Sequence, residues 1–157
     1  MSQFEKYHPI LTPHYTFDWL TKARVIDVFD LYQAKTPTAT MEATATQINH
    51  IMREIFHDRQ LVWGVIDRTT NKFVGQVGFA PIDTAKHTGT LIINLRPAYQ
   101  QTTTLTEILE RLVAFGTVEL KLQQLTLNLP QQSPLIEKVL HNLNFVTHDH
   151  LTFNYQQ

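Results

Sequence analysis

Apolar and polar residues alternate along several short stretches of the chain, a pattern that predicts β-strands with one buried face. In the first stretch Tyr15, Phe17 and Trp19 fall on the same side. From such alternation, or from richness in β-forming residues as at residues 61–67, strands are predicted over residues 15–20, 61–67, 73–81, 90–95 and 124–129, with a last hairpin or strand over residues 145–155. Polar turns at residues 68–72 and 84–89 join the three central strands, and the first two of these strands are expected to form an antiparallel hairpin.

Elsewhere apolar residues recur every three or four positions, as they do on the buried face of an amphipathic helix. Helices are predicted over residues 22–35, 44–57 and 134–142, and from about residues 104–106 towards Leu120. Thr21 is the expected cap of the first helix, and residues 1–13 form an extended lead-in. The order β-α-α-β-β-β-α-β-α-β predicts a mixed α/β protein built in layers, not a doubly wound sheet.

The periodicity changes from that of a strand to that of a helix within residues 91–107. A buried strand ends at Leu95, because Arg96-Pro97 interrupts the regular structure. A turn made of Gln and Thr then leads into the helix. The first N–H groups of a helix are unpaired and carry a partial positive charge. This turn is therefore predicted to accept a phosphate or another anion.

Composition narrows the classes of function. At 157 residues, with 43% hydrophobic and 17% charged side chains, the chain is expected to be one soluble domain over residues 1–157. Thirteen basic and fourteen acidic residues, without a basic stripe, do not favour nucleic-acid binding. The absence of cysteine excludes disulfides, thiolate metal sites and a cysteine nucleophile, and it fits a cytoplasmic location. No apolar run nears the roughly 20 residues that span a bilayer, and the first residues do not resemble a signal peptide.

Two segments resemble the GNAT acetyltransferases, in particular the branch that acetylates the N-termini of ribosomal proteins and related amines. They are NLRPAYQQTTTLTEILERLVAFGTVELKLQQLTL and LIEKVLHNLNF, and the opening ILTPHYTFDWLTKARVIDVFDLYQ also looks like the first strand and helix of that branch. The resemblance implies the GNAT fold, an α/β (α+β) fold with a mixed, mostly antiparallel sheet flanked by helices. It also implies acetyl-coenzyme A as co-substrate and a small amine or a protein N-terminus as acceptor, with a homodimer as one form of assembly.

In that family the strand-to-helix turn reads Gln/Arg-x-x-Gly-x-Gly/Ala, and its amides hold the pyrophosphate of the coenzyme. Gln100 matches the opening position, whereas Thr103 and Leu105 stand where small residues are usual. Thr103 is expected to narrow the phosphate cradle and Leu105 to crowd it. Glu107 matches a family glutamate. The coenzyme contacts implied by the resemblance are Asn94, Leu95, Gln100, Gln101, Thr102, Thr103, Thr104, Leu105 and Ser133.

Other family positions also differ. Ser133 stands at the place of the family asparagine, Ile136 at that of the following serine, and Asn144 at that of a glycine. Thr90 lies where relatives often carry a carboxylate that draws a proton from the amine through water. These differences motivate a second hypothesis, in which a non-catalytic relative binds another ligand or a protein partner in the same cleft.

Candidates for proton transfer are few. Tyr155 or Tyr99 could supply a phenolic proton, and His148 or His150 could act as a base. In the segment where the family often places its acidic tyrosine, His141 is the only residue that titrates near neutral pH. We take Tyr155, His141 and His148 as catalytic candidates.

Histidines also raise the question of a metal. His148 and His150 would share one face of a strand and could bind zinc if His87 or His141 joined them. No residue determines such a third ligand, and solvent-facing strand histidines are the simpler interpretation. We therefore predict no metal site.

Overall fold

The computed structural model describes residues 2–157 of the chain, so Met1, the first residue of the predicted lead-in, lies outside the described part. Eight strands form one sheet in the order β1-β2-β3-β4-β5-β6-β8-β7. They are β1 Ile10–Leu11, β2 Tyr15–Asp18, β3 Leu61–Asp67, β4 Phe73–Asp83, β5 Thr88–Leu95, β6 Gln124–Asn128, β7 Phe145–Thr147 and β8 Thr152–Tyr155. All neighbours are antiparallel except β5 and β6, which run parallel. This is the mixed, mostly antiparallel sheet that was predicted.

Four α-helices flank the sheet. They are α1 Val25–Lys35, α2 Met41–Phe56, α3 Thr102–Ala114 and α4 Pro134–Asn142. Short 3-10 turns precede α1 and α3, and a π-helical turn over Phe115–Glu119 extends α3. Within residues 2–157, no helix combines the length and the apolar character needed to cross a bilayer.

Three of the four predicted helix starts were wrong. The first helix begins at Val25, not at residue 22, since a 3-10 turn over Leu20–Lys22 comes first and Thr21 lies inside it. The second begins at Met41, where the Thr40 side chain accepts the amide of Ala43 and so caps the helix earlier than its apolar stripe begins. The third begins at Thr102, two residues before the predicted start.

The two faces of the sheet are covered by different helices. On one face Phe115, directly after α3, packs edge-on against Trp63 of β3 at a ring separation of 5.4 Å. On the other face the Tyr32 hydroxyl of α1 donates to Gln76 Oε1 of β4 at 2.5 Å. Because side chains alternate along a strand, each residue of the central strands belongs to the α3 face or to the α1 face.

The sheet opens between its two parallel strands. Residues Thr88–Leu91 of β5 pair with Gln124–Leu127 of β6, but Ile92–Leu95 pair only with β4. The carboxyl ends of β5 and β6 therefore separate, and the last four residues of β5 have a strand on one side alone.

Candidate active site

Backbone groups at the open end of β5 point into the space that β6 leaves. The Arg96 amide donates to the Val74 carbonyl at 2.9 Å, so Leu95 and Gly75 form a non-hydrogen-bonded pair. The N–H and C=O of Leu95 must then point away from β4, and by the same alternation so do those of Ile93. This end of β5 presents an unpaired strand edge to a ligand.

The backbone of Asn94 has the opposite orientation. Asn94 pairs with Gln76, and the alternation directs its N–H and C=O towards β4. Asn94 and Leu95 are the two strand residues among the implied coenzyme contacts. Leu95 thus presents its backbone to the open side, while Asn94 presents only its side chain, on the α1 face.

The side chain of Gln100 is already hydrogen-bonded to one backbone group of this strand edge. Its Nε2 donates to the Leu95 carbonyl at 3.0 Å. A carboxamide from the turn therefore occupies the acceptor that an amide of a pantetheine arm would need.

The start of α3 follows directly and has no cap. Gln101 stands at the N-cap position without a capping hydrogen bond, and its Nε2 donates instead to the Ala98 carbonyl at 2.9 Å. The amides of the first turn, from Thr102 to Thr104, consequently lack a capping side chain. Thr102 and Thr103 are exposed, so the positive end of the helix is open to solvent at its first two residues, whereas Thr104 is buried.

Thr104 and Leu105 point inward. Thr104 is buried, and its hydroxyl lies 2.8 Å from the Tyr15 hydroxyl. Leu105 is 1% exposed, and its amide donates to the Gln101 carbonyl. The predicted crowding of the cradle by Leu105 is therefore wrong, because the first turn of α3 directs that side chain into the core.

Glu107 anchors the β1–β2 turn to α3. Its carboxylate accepts from the Thr12 hydroxyl at 2.6 Å, from the His14 amide at 2.8 Å and from His14 Nδ1 at 2.7 Å. Burial opposes ionisation, but these hydrogen bonds prevail and lower the pKa of Glu107. A groove of 560 Å³ runs between this turn and α3 and reaches Thr102 and Thr103.

A second groove, of 720 Å³, lies between α4 and β7, away from the open end of β5. Neither groove includes Leu95. The unpaired backbone groups define the candidate site better than surface concavity does, because an extended ligand would lie along the strand edge.

Ser133 begins α4. Its hydroxyl accepts the amide of Ile136 at 3.3 Å and so caps the helix. Its predicted contact with the coenzyme stays a prediction, since the same oxygen already serves this cap.

The three catalytic candidates lie apart from the open end of β5 or at the surface. Asn154 pairs with Thr126, which places the next residue, Tyr155, near the end of β6 that is still joined to β5. His141 is exposed near the end of α4, and His148 is exposed in the turn between β7 and β8. Their catalytic roles stay predictions.

The histidine turn also differs from the expected strand. His148 and His150 lie between β7 and β8, and His150 has a φ of 62°. His150 Nδ1 lies 2.8 Å from Glu137 Oε2. Among residues 2–157 no group of three or more His, Asp or Glu side chains is arranged to hold a metal ion.

Tyr99 makes its hydrogen bond away from the open end of β5. Its hydroxyl donates to Asp67 Oδ2 at 3.0 Å, on the side of β5 away from β6. Burial, followed by the neighbouring carboxylate, raises the pKa of Tyr99, so it remains a phenol at neutral pH.

The structure adds residues that sequence reasoning missed. Gln76 lies directly opposite Asn94 on the α1 face and accepts the Tyr32 hydroxyl. Burial raises the pKa of Tyr32 to about 12. Tyr32 lies at helical spacing with the apolar residues of α1, and the one available signal was a polar Gln within an otherwise apolar strand.

Comparison with known proteins agrees with this fold. Residues 11–146 match the family model described as acetyltransferase (GNAT) domain. A provisionally assigned ribosomal-protein-serine acetyltransferase from Vibrio cholerae has the same fold, with a TM-score of 0.79, 14% identity, and coverage of 95% of this chain and 97% of the other. The ribosomal-protein-S5-alanine acetyltransferase from Vibrio fischeri gives a TM-score of 0.74 at 15% identity, with 93% of each chain covered.

A third solved structure holds a ligand. The spermidine N-acetyltransferase from Vibrio cholerae, in complex with CoA and spermine, gives a TM-score of 0.75 at 14% identity and covers 90% of this chain and 93% of that one. A search of curated protein sequences finds no match. The predicted GNAT fold is confirmed, and since the family model spans most of the chain, the protein belongs to the GNAT acetyltransferase family.

Proposed function

We propose that the protein transfers the acetyl group of acetyl-coenzyme A to a primary amine, on a small molecule or at a protein N-terminus. The observation that carries the proposal is the adjacency of an unpaired strand edge at Leu95 and an uncapped helix start at Thr102. The first can pair with the amides of a pantetheine arm, and the second can hold the pyrophosphate that follows it.

The phosphate contacts would come from the main chain. Open amides of Thr102, Thr103 and Thr104 offer hydrogen bonds and the positive end of the helix dipole, which suits a pyrophosphate. Thr103 is exposed, and its hydroxyl would donate a further hydrogen bond to the pyrophosphate. Gln100 and Gln101 would complete the turn, and Leu105 contributes only to the core beneath it.

Binding of the pantetheine would require one local exchange. An amide of the arm would replace Gln100 Nε2 at the Leu95 carbonyl, while the Leu95 amide would donate to a carbonyl of the arm. Because the carbonyl exchanges one hydrogen bond for another of the same type, the exchange costs only the net free energy of the Gln100–Leu95 bond, about 0.5–1.5 kcal/mol.

The reaction itself is an acyl transfer. The neutral amine attacks the thioester carbonyl, a C–N bond forms, the C–S bond breaks, and the nitrogen loses its extra proton while the sulfur leaves and ends as a thiol. None of Ile92, Asn94 and Leu95 titrates near neutral pH. The contribution of the protein is then mainly to hold the amine and thioester in line.

The same structure supports one competing function. Because Gln100 already satisfies the Leu95 carbonyl, a non-catalytic relative could keep the turn closed and bind a different ligand or a protein partner. Coenzyme binding separates the two proposals.

The first measurement is the unfolding temperature with and without acetyl-coenzyme A. A ligand that binds only the folded state at a hundredfold excess over its Kd stabilises by about 2.7 kcal/mol. Thiol release is then followed with a panel of amines. No shift at millimolar coenzyme contradicts the acetyltransferase, whereas a shift without thiol release from any amine favours the non-catalytic relative.

Two further properties are also proposals. We propose a cytoplasmic location, which suits a chain without cysteine. We also propose that the protein forms a homodimer, which sedimentation would test. Spermidine and ribosomal-protein acetyltransferases with the same fold support an amine acceptor.

A further inference from the structure

A ring of hydrogen bonds ties the first two turns of α3 to the hairpin formed by β1 and β2. The hydroxyls of Tyr15, on β2, and Thr104, on α3, lie 2.8 Å apart. One turn further along the helix, the Glu107 carboxylate accepts from the Thr12 hydroxyl at 2.6 Å. The Tyr15 amide donates to the same Thr12 hydroxyl at 3.0 Å, and this bond closes the ring.

The ring is shielded from water. Thr12, Tyr15 and Thr104 are all buried. A buried hydrogen bond is stronger than an exposed one, and breaking it leaves polar groups without a partner in the interior. The ring therefore holds the start of α3 and the hairpin in one arrangement, although the two segments lie 89 residues apart in the chain.

The helical residues of the ring also carry or adjoin the free amides. Thr104 and Glu107 are three residues apart, so both side chains leave α3 on the same face, which meets the hairpin. The amides of residues 102–104 point along the helix axis at its open end. Gln101 supplies no capping hydrogen bond to them. The bond that orients the Thr104 side chain therefore also fixes the residue that carries the third of these amides.

Resting on the proposed acetyl transfer, we propose that Tyr15 and Thr104 are positioning residues for the coenzyme. Their hydrogen bond does the work of the missing cap and holds the first turn of α3 in the conformation that binds the pyrophosphate. Helix ends without a cap fray, and a ligand that must first order such a turn binds more weakly. Both hydroxyls lie in the core beneath the turn, so they act through the amides of residues 102–104.

The hydrogen bond sets the size of the effect. Loss of one net hydrogen bond shifts an equilibrium about 2- to 13-fold. The fraction of molecules with the amides in place falls by up to this factor, and the apparent Kd of a pyrophosphate ligand rises by the same factor. S-acetylpantetheine has the thioester and the pantetheine arm but no pyrophosphate. Its binding depends on the strand edge at Leu95 and should not change.

The test compares acetyl-coenzyme A with S-acetylpantetheine as acetyl donors for the full chain, with the best amine of the panel as acceptor. Tyr15→Phe/Thr104→Val removes both hydroxyls and nearly keeps the shape of both side chains, so no buried hydroxyl of this pair is left unpaired. We expect the Kd and the KM of acetyl-coenzyme A to rise about 2- to 13-fold, with kcat unchanged. We expect kcat/KM for S-acetylpantetheine to stay within about a factor of two, whereas general damage to the fold would lower it as well.

Two further variants serve as controls. Tyr7→Phe/Thr106→Val makes the same chemical changes beside the same helix, and it should alter the affinity for neither donor. Tyr7 packs against Phe115 after the end of α3, at a ring separation of 5.0 Å, and Thr106 lines the groove beside the helix. Thr104→Ser keeps the hydroxyl, and we expect it to bind acetyl-coenzyme A within about a factor of two of wild type.

The inference is overturned if the Tyr15→Phe/Thr104→Val variant binds acetyl-coenzyme A as tightly as wild type, or if it loses activity with both donors in equal proportion. Backbone order parameters of the ligand-free protein give a second readout. In wild type the amides of residues 102–104 should reach the value of a rigid backbone, about 0.85, and values below about 0.6 refute the inference without any variant. Should acetyl-coenzyme A fail to bind wild type, the proposed function falls, and the order parameters decide separately. A decrease in the variant supports the positioning role, and unchanged values refute it.

Discussion

The hydrogen bond from Gln100 to the Leu95 carbonyl leads to an unusual prediction. Removing a side chain that contacts a ligand normally weakens binding of the ligand, whereas removing Gln100 should strengthen it. If a pantetheine amide must displace Gln100 Nε2, then Gln100→Ala removes a competitor and should tighten acetyl-coenzyme A binding. A net neutral hydrogen bond contributes about 0.5–1.5 kcal/mol. Removing this competitor should therefore lower the Kd about 2- to 13-fold.

Calorimetric titration with acetyl-coenzyme A measures this change. Gln101→Ala is the matched control, because it deletes the same side chain from the next position, where the carboxamide bonds to Ala98 and not to the strand edge. We expect its Kd to stay within a factor of two of wild type.

A weaker affinity of Gln100→Ala would refute the reasoning. It would show that Gln100 contacts the coenzyme in the complex, as the opening position of the family turn implies. The unfolding free energy of ligand-free Gln100→Ala should fall by about the same 0.5–1.5 kcal/mol, and an unchanged value would show that the bond to Leu95 does not form in solution.

Other predictions concern the same corner of the molecule. Thr103→Gly should tighten coenzyme binding, because it gives phosphate closer access to the backbone, and it should lower the unfolding temperature. Unchanged or weaker binding would show that Thr103 does not obstruct the phosphate. Gly75→Ala should destabilise the fold by about 1–3 kcal/mol in urea, because a Cβ there would lie 2.3 Å from the Asn94 carbonyl; wild-type stability would show that β4 and β5 can separate at this point. Glu107→Gln should lower the unfolding temperature at pH 7, and the difference from wild type should shrink as pH falls. The lowered pKa of Glu107 means that its stabilisation is present above the ordinary carboxyl pKa and is lost as pH falls through the folded value; a difference independent of pH would exclude ionisation as the cause.

Local patterns determined the elements of this protein. Richness in β-forming residues predicted the strand now seen at Leu61–Asp67 and helical spacing predicted α4 at Pro134–Asn142, both with the bounds that the structure has. The change of periodicity after Leu95 located the strand-to-helix corner. Such features follow from the sequence because one buried face repeats every 3.6 residues in a helix, and because β-branched and aromatic side chains suit a buried strand.

Tertiary structure decided which of these residues meet. Leu105 looked like an obstruction at the corner but lies in the core, since the pitch of α3 turns it inward. The open edge at Leu95 depends on where β6 stops pairing with β5. Gln76 and Asn94 are neighbours because of the register between β4 and β5. Tyr32, which bonds to Gln76, lies 44 residues earlier in the chain, on a helix. Contacts between distant segments are set by packing of the whole core, and no local period records them.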